Sequence, residues 1–461
     1  MSNISPAIFR AYDIRGVVSD TLTPAAVEQI GRAFGSECKE REIATVVVAR
    51  DGRLSGPDLI QAISAGIQSA GVNVIDIGMV PTPVLYFATY HLNTGTGIMV
   101  TGSHNPPEYN GLKMVIGGDA LFGDGITALH TRLVNDDLHT ADAAGSLSTQ
   151  DILQDYLDRI LGDVKLARPM SIAYDCGNGV AGAAAPQMFE ALGCESSSLF
   201  TEVDGTFPNH HPDPAKLENL VDLIAVVKEK KHEVGLAFDG DGDRVGVVDD
   251  QGNVIWPDRQ MVLFAQDVLE RNPGARIIYD VKCSKVLPAA ITAAGGVPDM
   301  WKTGHSFIKA RIKETGALLG GEMSGHMFFK ERWYGFDDAL YAAARLLEIL
   351  SKTDRPASEI FGEIPNSINT PELNVTLDED GAQHEFVKQF VANAKFEGAE
   401  LTTIDGVRAD YPDGWGLLRA SNTTPSLVIR FEADTDEALA RIQSEFRKVM
   451  TETDASVTVP F

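Results

Sequence analysis

The sequence predicts an α/β protein made of three related α/β units followed by a C-terminal α+β unit. Three observations carry this reading. A strand, a polar loop, a helix and a second strand recur three times, and each first strand ends in an aspartate: Asp51, Asp175 and Asp280. Each copy continues into a further apolar strand that ends in a distinctive loop, "TGSHNP", "DGDGDR" or "GEMSGH". Beyond residue 366 the rhythm changes to alternating, half-buried strands with helices, as in an antiparallel layer.

In chain order, "IATVVVA" (43–49) is a short β-branched run and predicts a buried strand that ends at "RDGR". "SGPDLIQAISAGIQSAG" reads as an amphipathic helix closed by Gly71, and "VNVIDIG" returns as a strand, completing a βαβ unit. A helix starts near Thr82-Pro83, and "GIMVT" (97–101) leads into the Ser103 loop. "MSIAYD" (170–175), the helix "VAGAAAPQMFEALG" and the strand "CESSSLF" repeat the layout. So do "ARIIYD" (275–280) and the helix around "KVLPAAITAAGG". The separations from those aspartates to Ser103, Asp239 and Glu322 are similar, as in diverged copies with different insertions. In the last part "PELNVTLD", "ELTTIDG", "WGLLRAS" and "SLVIRFEA" are strands, with helices near 383–394 and 436–451. Polar and proline-containing stretches place the units at 1–149, 150–253, 254–365 and 366–461.

The bulk numbers narrow the function classes. A chain of 461 residues is too long for one core, and no apolar run approaches the roughly 18 residues a membrane-spanning helix needs. The opening residues lack a basic segment followed by an apolar one, so a cytoplasmic protein is expected. Cys38, Cys176, Cys194 and Cys283 are scattered, which argues against a disulfide framework or a thiolate zinc site. A net charge of −26 argues against nucleic acid or anionic membranes as partners. An anionic small substrate needs a local convergence of basic residues.

The loops suggest where that convergence lies. In "FDGDGDRVGVV", Asp239, Asp241 and Asp243 alternate with Gly240 and Gly242, which let the backbone curl and bring three carboxylates together. Oxygen-only ligands select a hard cation such as Mg²⁺, Mn²⁺ or Ca²⁺. An EF-hand also begins D-x-D-x-D, but Arg244 and Asp250 stand where it needs Gly and Glu. Three carboxylates leave an octahedral ion short of ligands, and a phosphorylated Ser103 in "VTGSHNPPEYNGLK" would supply an anionic oxygen. From that loop alone an ordinary hydroxyl turn is the better reading. In "GGEMSGHMFF", Glu322, Ser324 and His326 alternate and would point to one side of an extended segment, as a clamp for vicinal sugar hydroxyls or simply as a polar turn. In "LLRASNTTPSLVIRF", Arg419, Ser421, Asn422, Thr423 and Thr424 share one turn, with Arg430 on the next strand, a set suited to a phosphate monoester.

Together, "TGSHNPPEYNG", "DGDGDR", "GEMSGH" and "RASNTTP", with "FRAYDIRG", "DVKCS" and "KTGHS", resemble the α-D-phosphohexomutase family over essentially the whole chain. The likeness is greatest to its bacterial phosphomannomutase/phosphoglucomutase branch. That resemblance implies three mixed-sheet α/β domains and a fourth α+β domain around a central cleft. It implies reversible transfer between the 6- and 1-phosphates of a hexose, through a phosphoserine at Ser103 and a 1,6-bisphosphorylated sugar. By the same resemblance one Mg²⁺ is held by Asp239, Asp241, Asp243 and Ser103, and glucose 1,6-bisphosphate acts as activator. His104, Lys113 and Arg244 neutralise the group in flight, and proton transfer falls near Lys113, Arg15 and His305. Tyr12, Lys282 and His305 line the cleft. Glu322 and Ser324, beside His326, meet the sugar's 3- and 4-hydroxyls. Arg419, Ser421, Asn422 and Thr423, with Arg430, grip the non-reacting phosphate. Because the intermediate must bind in two orientations, C2 is read poorly and both mannose and glucose should serve. Met323 fits that dual-specificity branch rather than a glucosamine mutase. The other alternative is a sugar-phosphate-binding protein without catalysis, but Ser103 and the aspartate trio are both intact. A monomer or weak homo-oligomer is expected.

Overall fold

The computed structural model describes residues 4–379, 381–422 and 424–461. Thr45–Arg50 forms the middle of the first sheet, parallel to both Asn73–Met79 and Gly97–Val100. Its Val46, Val47, Val48 and Ala49 are wholly buried, as expected of a parallel strand covered by helices on both faces. Tyr109–Ile116 then pairs antiparallel with Gly97–Val100. The helix Pro24–Glu40 has Thr23 as its N-cap, whose hydroxyl accepts from the N–H of Ala26, with Pro24 at the first position.

The second and third sheets repeat that arrangement. Ser171–Asp175 is parallel to Glu195–Leu199 and Val234–Phe238, and Val245–Asp249 returns antiparallel. Arg276–Asp280 is parallel to Val297–Trp301 and Leu319–Gly321, and Met327–Phe329 returns antiparallel. The internal repeat is therefore one topology used three times. In each sheet the distinctive loop joins the same two strands, one parallel to the sheet's centre and one antiparallel. The second sheet also takes in Val254–Ile255, across the expected boundary at 253.

The fourth sheet is antiparallel among its paired strands, with Gly414–Ala420 between Val407–Tyr411 and Ser426–Ala433. One apolar core runs through the first three sheets, joining Val47, Tyr156, Phe189, Phe264, Phe329 and Tyr341. The fourth has its own, around Phe390, Phe396, Phe431 and Phe446.

Two local expectations need correction. The helix expected over "VAGAAAPQMFEALG" is a 3₁₀ turn, Val180–Ala183, followed by a short helix, Ala185–Ala191. Pro186 lacks an N–H and is tolerated only in a first turn, so the helix restarts there. The strand Val407–Tyr411 is absent from the expected set, although Val407, Ala409 and Tyr411 alternate with Arg408 and Asp410 and enter the core. Its buried Arg408 stacks 3.9 Å from the Trp415 ring and donates to the carbonyls of Val281 and Cys283.

Candidate active site

Three equivalent loops meet in one place: the Ser103 loop meets the Asp239 loop, and the Asp239 loop meets the Glu322 loop. The Ser103 loop leaves Gly97–Val100, and Ser103 is buried with a left-handed backbone, φ 50°. Its N–H donates to the Thr101 hydroxyl at 2.8 Å, so the hydroxyl turn expected here exists, with Thr101 supplying the oxygen. Ser103 Oγ is turned toward the second loop, 3.0 Å from Asp239 Oδ2 and 3.1 Å from His104 Nδ1.

Asp239, Asp241 and Asp243 are fully buried. Asp239 Oδ1 accepts the backbone N–H groups of Gly242, Asp243 and Arg244, which fixes the curl of the loop. Its Oδ2 also takes the Arg244 Nε at 3.1 Å. Asp241 Oδ2 accepts from Thr82 Oγ1 at 2.6 Å and from Lys113 Nζ at 2.7 Å, and Lys113 also bonds Asp243. A Cβ on Gly240 would lie 2.2 Å from the Ser103 carbonyl oxygen, so only glycine lets the two loops approach this closely.

Donor oxygens of the three aspartates lie within 4.8 Å of one another. Asp241 Oδ1 and Asp243 Oδ1 are buried with no hydrogen-bond partner among the described residues. Orphaned carboxylate oxygens in an all-oxygen set fit a hard divalent ion. A second grouping, Asp243, His326 and Asp337, shares one carboxylate with the first. There one of the three donors is an imidazole rather than a carboxylate, so it suits a hard cation less well.

Charge in the site is sharply sorted. Burial would lower the Lys113 pKa, but Asp241 and then Asp243 outweigh it, so the ammonium stays charged. Burial lowers His104 well below the usual imidazole range, reinforced by Arg244 and Arg15. His305 is depressed likewise, first by burial and then by Lys309. Both imidazoles are therefore neutral near pH 7. Burial, followed by Asp241 and Asp243, raises Asp239.

Glu322, Ser324 and His326 do converge, through a tight turn rather than an extended segment. Gly325, at φ 100°, returns its N–H to the Glu322 carbonyl, and the Glu322 N–H donates to the His326 carbonyl. Ser324 Oγ and Glu322 Oε2 lie 2.8 and 3.2 Å from His326 Nδ1. His326 Nε2 faces Asp243 Oδ1 at 3.4 Å, and the Val245 N–H donates to the Gly325 carbonyl, so the second and third loops are stitched together. Burial would lower His326, but Asp243 and then Glu322 raise it to about 9.

Of the remaining expected residues, Tyr12 lies within electrostatic reach of both Glu322 and Arg419. Arg15 donates to Asp13 and Asn105. The Tyr12 ring meets His305 edge-on at 5.4 Å, and burial pushes its hydroxyl up to about 12. Arg419 is buried, with Nε on Asp405 at 2.9 Å and Nη2 without a partner among the described residues. Lys282 Nζ lies 3.1 Å from Glu372. Ser421 Oγ accepts from the N–H and hydroxyl of Thr424, and Asn422 is half-buried beside it. Thr423 lies outside the described residues. Arg430 Nη1 donates to the Lys282 carbonyl at 2.5 Å, so its direct hold is on Lys282 rather than on the turn.

Sequence reasoning missed Thr82, Arg53, Asp337 and Glu372. In sequence Thr82 reads only as a helix start. The others bond to backbone or to distant side chains and leave no local pattern, although "RDGR" stood out as the end of its strand.

Comparisons with known proteins agree with this geometry. Models of the phosphoglucomutase/phosphomannomutase alpha/beta/alpha domains I, II and III match residues 6–135, 154–252 and 256–368. The model of that family's C-terminal domain matches 372–449. A phosphomannomutase/phosphoglucomutase of Pseudomonas aeruginosa is 56% identical over 455 residues, covering 99% of this chain and 98% of its own. A phosphoglucomutase of Neisseria gonorrhoeae is 56% identical over 451 residues, covering 98% of each. A crystal structure of a Burkholderia thailandensis phosphoglucomutase/phosphomannomutase family protein is 53% identical with a TM-score of 0.94, covering 99% of this chain and 100% of that one. Four consecutive domain models and full-length relatives above half identity lead to one conclusion: the chain belongs to the phosphoglucomutase/phosphomannomutase family.

Proposed function

We propose that this chain is a phosphohexomutase that interconverts the 6- and 1-phosphates of mannose and glucose by way of a phosphorylated Ser103. The observation that carries the reading is Ser103 Oγ held 3.0 Å from Asp239 within a buried aspartate triad. Asp239, Asp241 and Asp243 would hold Mg²⁺, which when bound offsets the negative charge of the phosphoryl group.

The protein's own groups account for the rest. A free sugar hydroxyl attacks the phosphorus of phosphoserine, its O–P bond forms, the bond to Ser103 Oγ breaks, and the serine oxygen leaves as the anion. Phosphoryl transfer of this kind needs positioning and charge neutralisation above all. Lys113, Arg244 and Arg15 supply fixed positive charge around Ser103. Neutral His305 is in a state to accept the hydroxyl proton, which a permanently charged guanidinium is not. The resulting 1,6-bisphosphate reorients and returns its other phosphoryl group to Ser103, so glucose 1,6-bisphosphate also serves as activator. Lys282, Arg419 and Arg430, with the turn at 421–424, hold the phosphate that is not reacting. Glu322 and Ser324 hold the sugar's 3- and 4-hydroxyls, while His326 links their turn to Asp243. The working units are read as 1–149, 150–253, 254–365 and 366–461, and the enzyme acts as a monomer or weak oligomer in the cytoplasm. Among the described residues no helix is long and apolar enough to cross a membrane.

The relatives carry both names, phosphomannomutase/phosphoglucomutase and phosphoglucomutase. Mannose 1-phosphate, glucose 1-phosphate and glucosamine 1-phosphate should therefore be assayed side by side, with Ser103→Ala as control. The first two are expected to turn over, with activity falling by orders of magnitude in the variant. Preference for the amino sugar would make this a phosphoglucosamine mutase. Undiminished turnover in Ser103→Ala would overturn the mechanism.

A further inference from the structure

Arg53 lies in the "RDGR" segment that follows Thr45–Arg50, and its side chain is 0% exposed. A guanidinium has five N–H donors, and here all of them are used. Nη1 donates to the carbonyls of Pro106 at 2.6 Å and Tyr109 at 2.9 Å. Nη2 donates to the carbonyls of Ser103 at 2.8 Å and Asn105 at 2.6 Å. Nε donates to Asp51 Oδ2 at 3.2 Å. Asp51 is itself anchored, since it also accepts the Thr101 hydroxyl at 2.8 Å and the N–H groups of Gly102 and Arg53.

Four carbonyl oxygens of one loop thus converge on a single cation. Removed from it, they would face one another in a buried space with their lone pairs unsatisfied. The backbone lies flat against the guanidinium at Gly102, where a Cβ would come 2.4 Å from Arg53 Cζ. The Phe207 ring, from the second unit, also packs on the guanidinium, 5.3 Å from Cζ. Turning these carbonyls inward leaves Ser103, in its left-handed backbone, with Oγ directed at Asp239. An L-residue keeps that conformation only where its surroundings enforce it.

We infer that Arg53 is a positioning residue for phosphoryl transfer: it is the inner template around which the phosphate-carrying loop is wound, fixing Ser103 Oγ against the aspartate triad in both half-reactions. It does not touch the reacting atoms. A lysine cannot replace it, because three donors at one point do not match four carbonyls and a carboxylate around a planar fork. The inference rests on the reading of Ser103 as the phosphoryl carrier.

The test compares the unmodified protein with Arg53→Lys, each incubated with Mg²⁺ and glucose 1,6-bisphosphate. Phosphate on Ser103 is followed by intact mass, mutase turnover by steady-state kinetics, and amide exchange over 101–109 by mass spectrometry. Failure of the unmodified protein to acquire phosphate would sink the functional reading itself. Given that uptake, Arg53→Lys is expected to exchange the loop amides faster and to lose kcat by about 10²-fold, as for an ångström-scale misplacement. Its KM should be little changed, because the sugar-holding residues lie on other loops. Unaltered kcat, or a loss confined to KM, would overturn the inference. Should Arg53→Lys fail to fold, Gly102→Ala displaces the guanidinium from the other side, and the same kcat and exchange criteria decide.

Discussion

Lys113 Nζ lies 2.7 Å from Asp241 Oδ2 and also bonds Asp243, so a cation from the first sheet already sits against the carboxylate triad. Without a divalent ion, this ammonium offsets Asp241 and Asp243, while Arg244 offsets Asp239. Lys113→Met should cost the metal-free protein about 3–5 kcal/mol, the usual penalty for leaving buried charge unpaired. Thermal unfolding in chelator should show the loss, and added Mg²⁺ should recover most of it. An unchanged midpoint in chelator would mean that the pair does not sustain the cage.

Asp241→Asn retains the side chain's shape but removes one negative charge from the proposed cation site. Mg²⁺ affinity is expected to fall by at least about tenfold. Competition titration against Mn²⁺, followed by electron paramagnetic resonance, measures this directly. Equal affinity in the variant would place the ion elsewhere.

Gly240→Ala tests how closely the Ser103 loop must approach the aspartates. The added Cβ would fall 2.2 Å from the Ser103 carbonyl, against backbone that cannot rotate aside. Turnover should drop by about 10²-fold while the far-UV circular dichroism stays native. Native turnover in this variant would show that the loops tolerate a wider gap.

Asp267 offers a pH test away from the site. Burial would raise its pKa, but hydrogen bonds from Arg271, Lys352 and Arg345 outweigh it and hold the carboxyl well below its ordinary 3.8. A depressed folded value contributes stability above pH 3.8 that is lost as pH falls below it. Asp267→Asn should remove that acid-side slope. At neutral pH it should also cost about 1.5–3 kcal/mol, since the buried Arg345 loses one charged partner but keeps Glu331 and Glu348. Denaturant unfolding at pH 7 and pH 3 checks both. Parallel curves for the two proteins would remove Asp267 from the account of acid sensitivity.

Much of this site was legible because its parts are short and local. Three aspartates spaced by glycine announce a carboxylate cage, and a serine between a strand and two prolines announces a stiffened loop. The clamp of Glu322, Ser324 and His326 was found by alternation, yet it converges through a turn at Gly325 that alternation does not describe. Arg53 escaped because its partners are carbonyls, which every residue carries, so no side-chain pattern marks them. Glu372 and Asp337 escaped because their partners, Lys282 and Lys309, come from other segments of the chain.

By itself the amino-acid order determined most strands and helices, the threefold internal repeat and the chemistry of each loop, because periodicity, glycine placement and charge act over a few residues. Only the tertiary structure decided that Ser103 meets Asp239, that Lys113 reaches Asp241 and that Asp243 faces His326. Those contacts join loops far apart in sequence, and they form because three sheets of one topology share a continuous apolar core that turns equivalent strand ends toward one another.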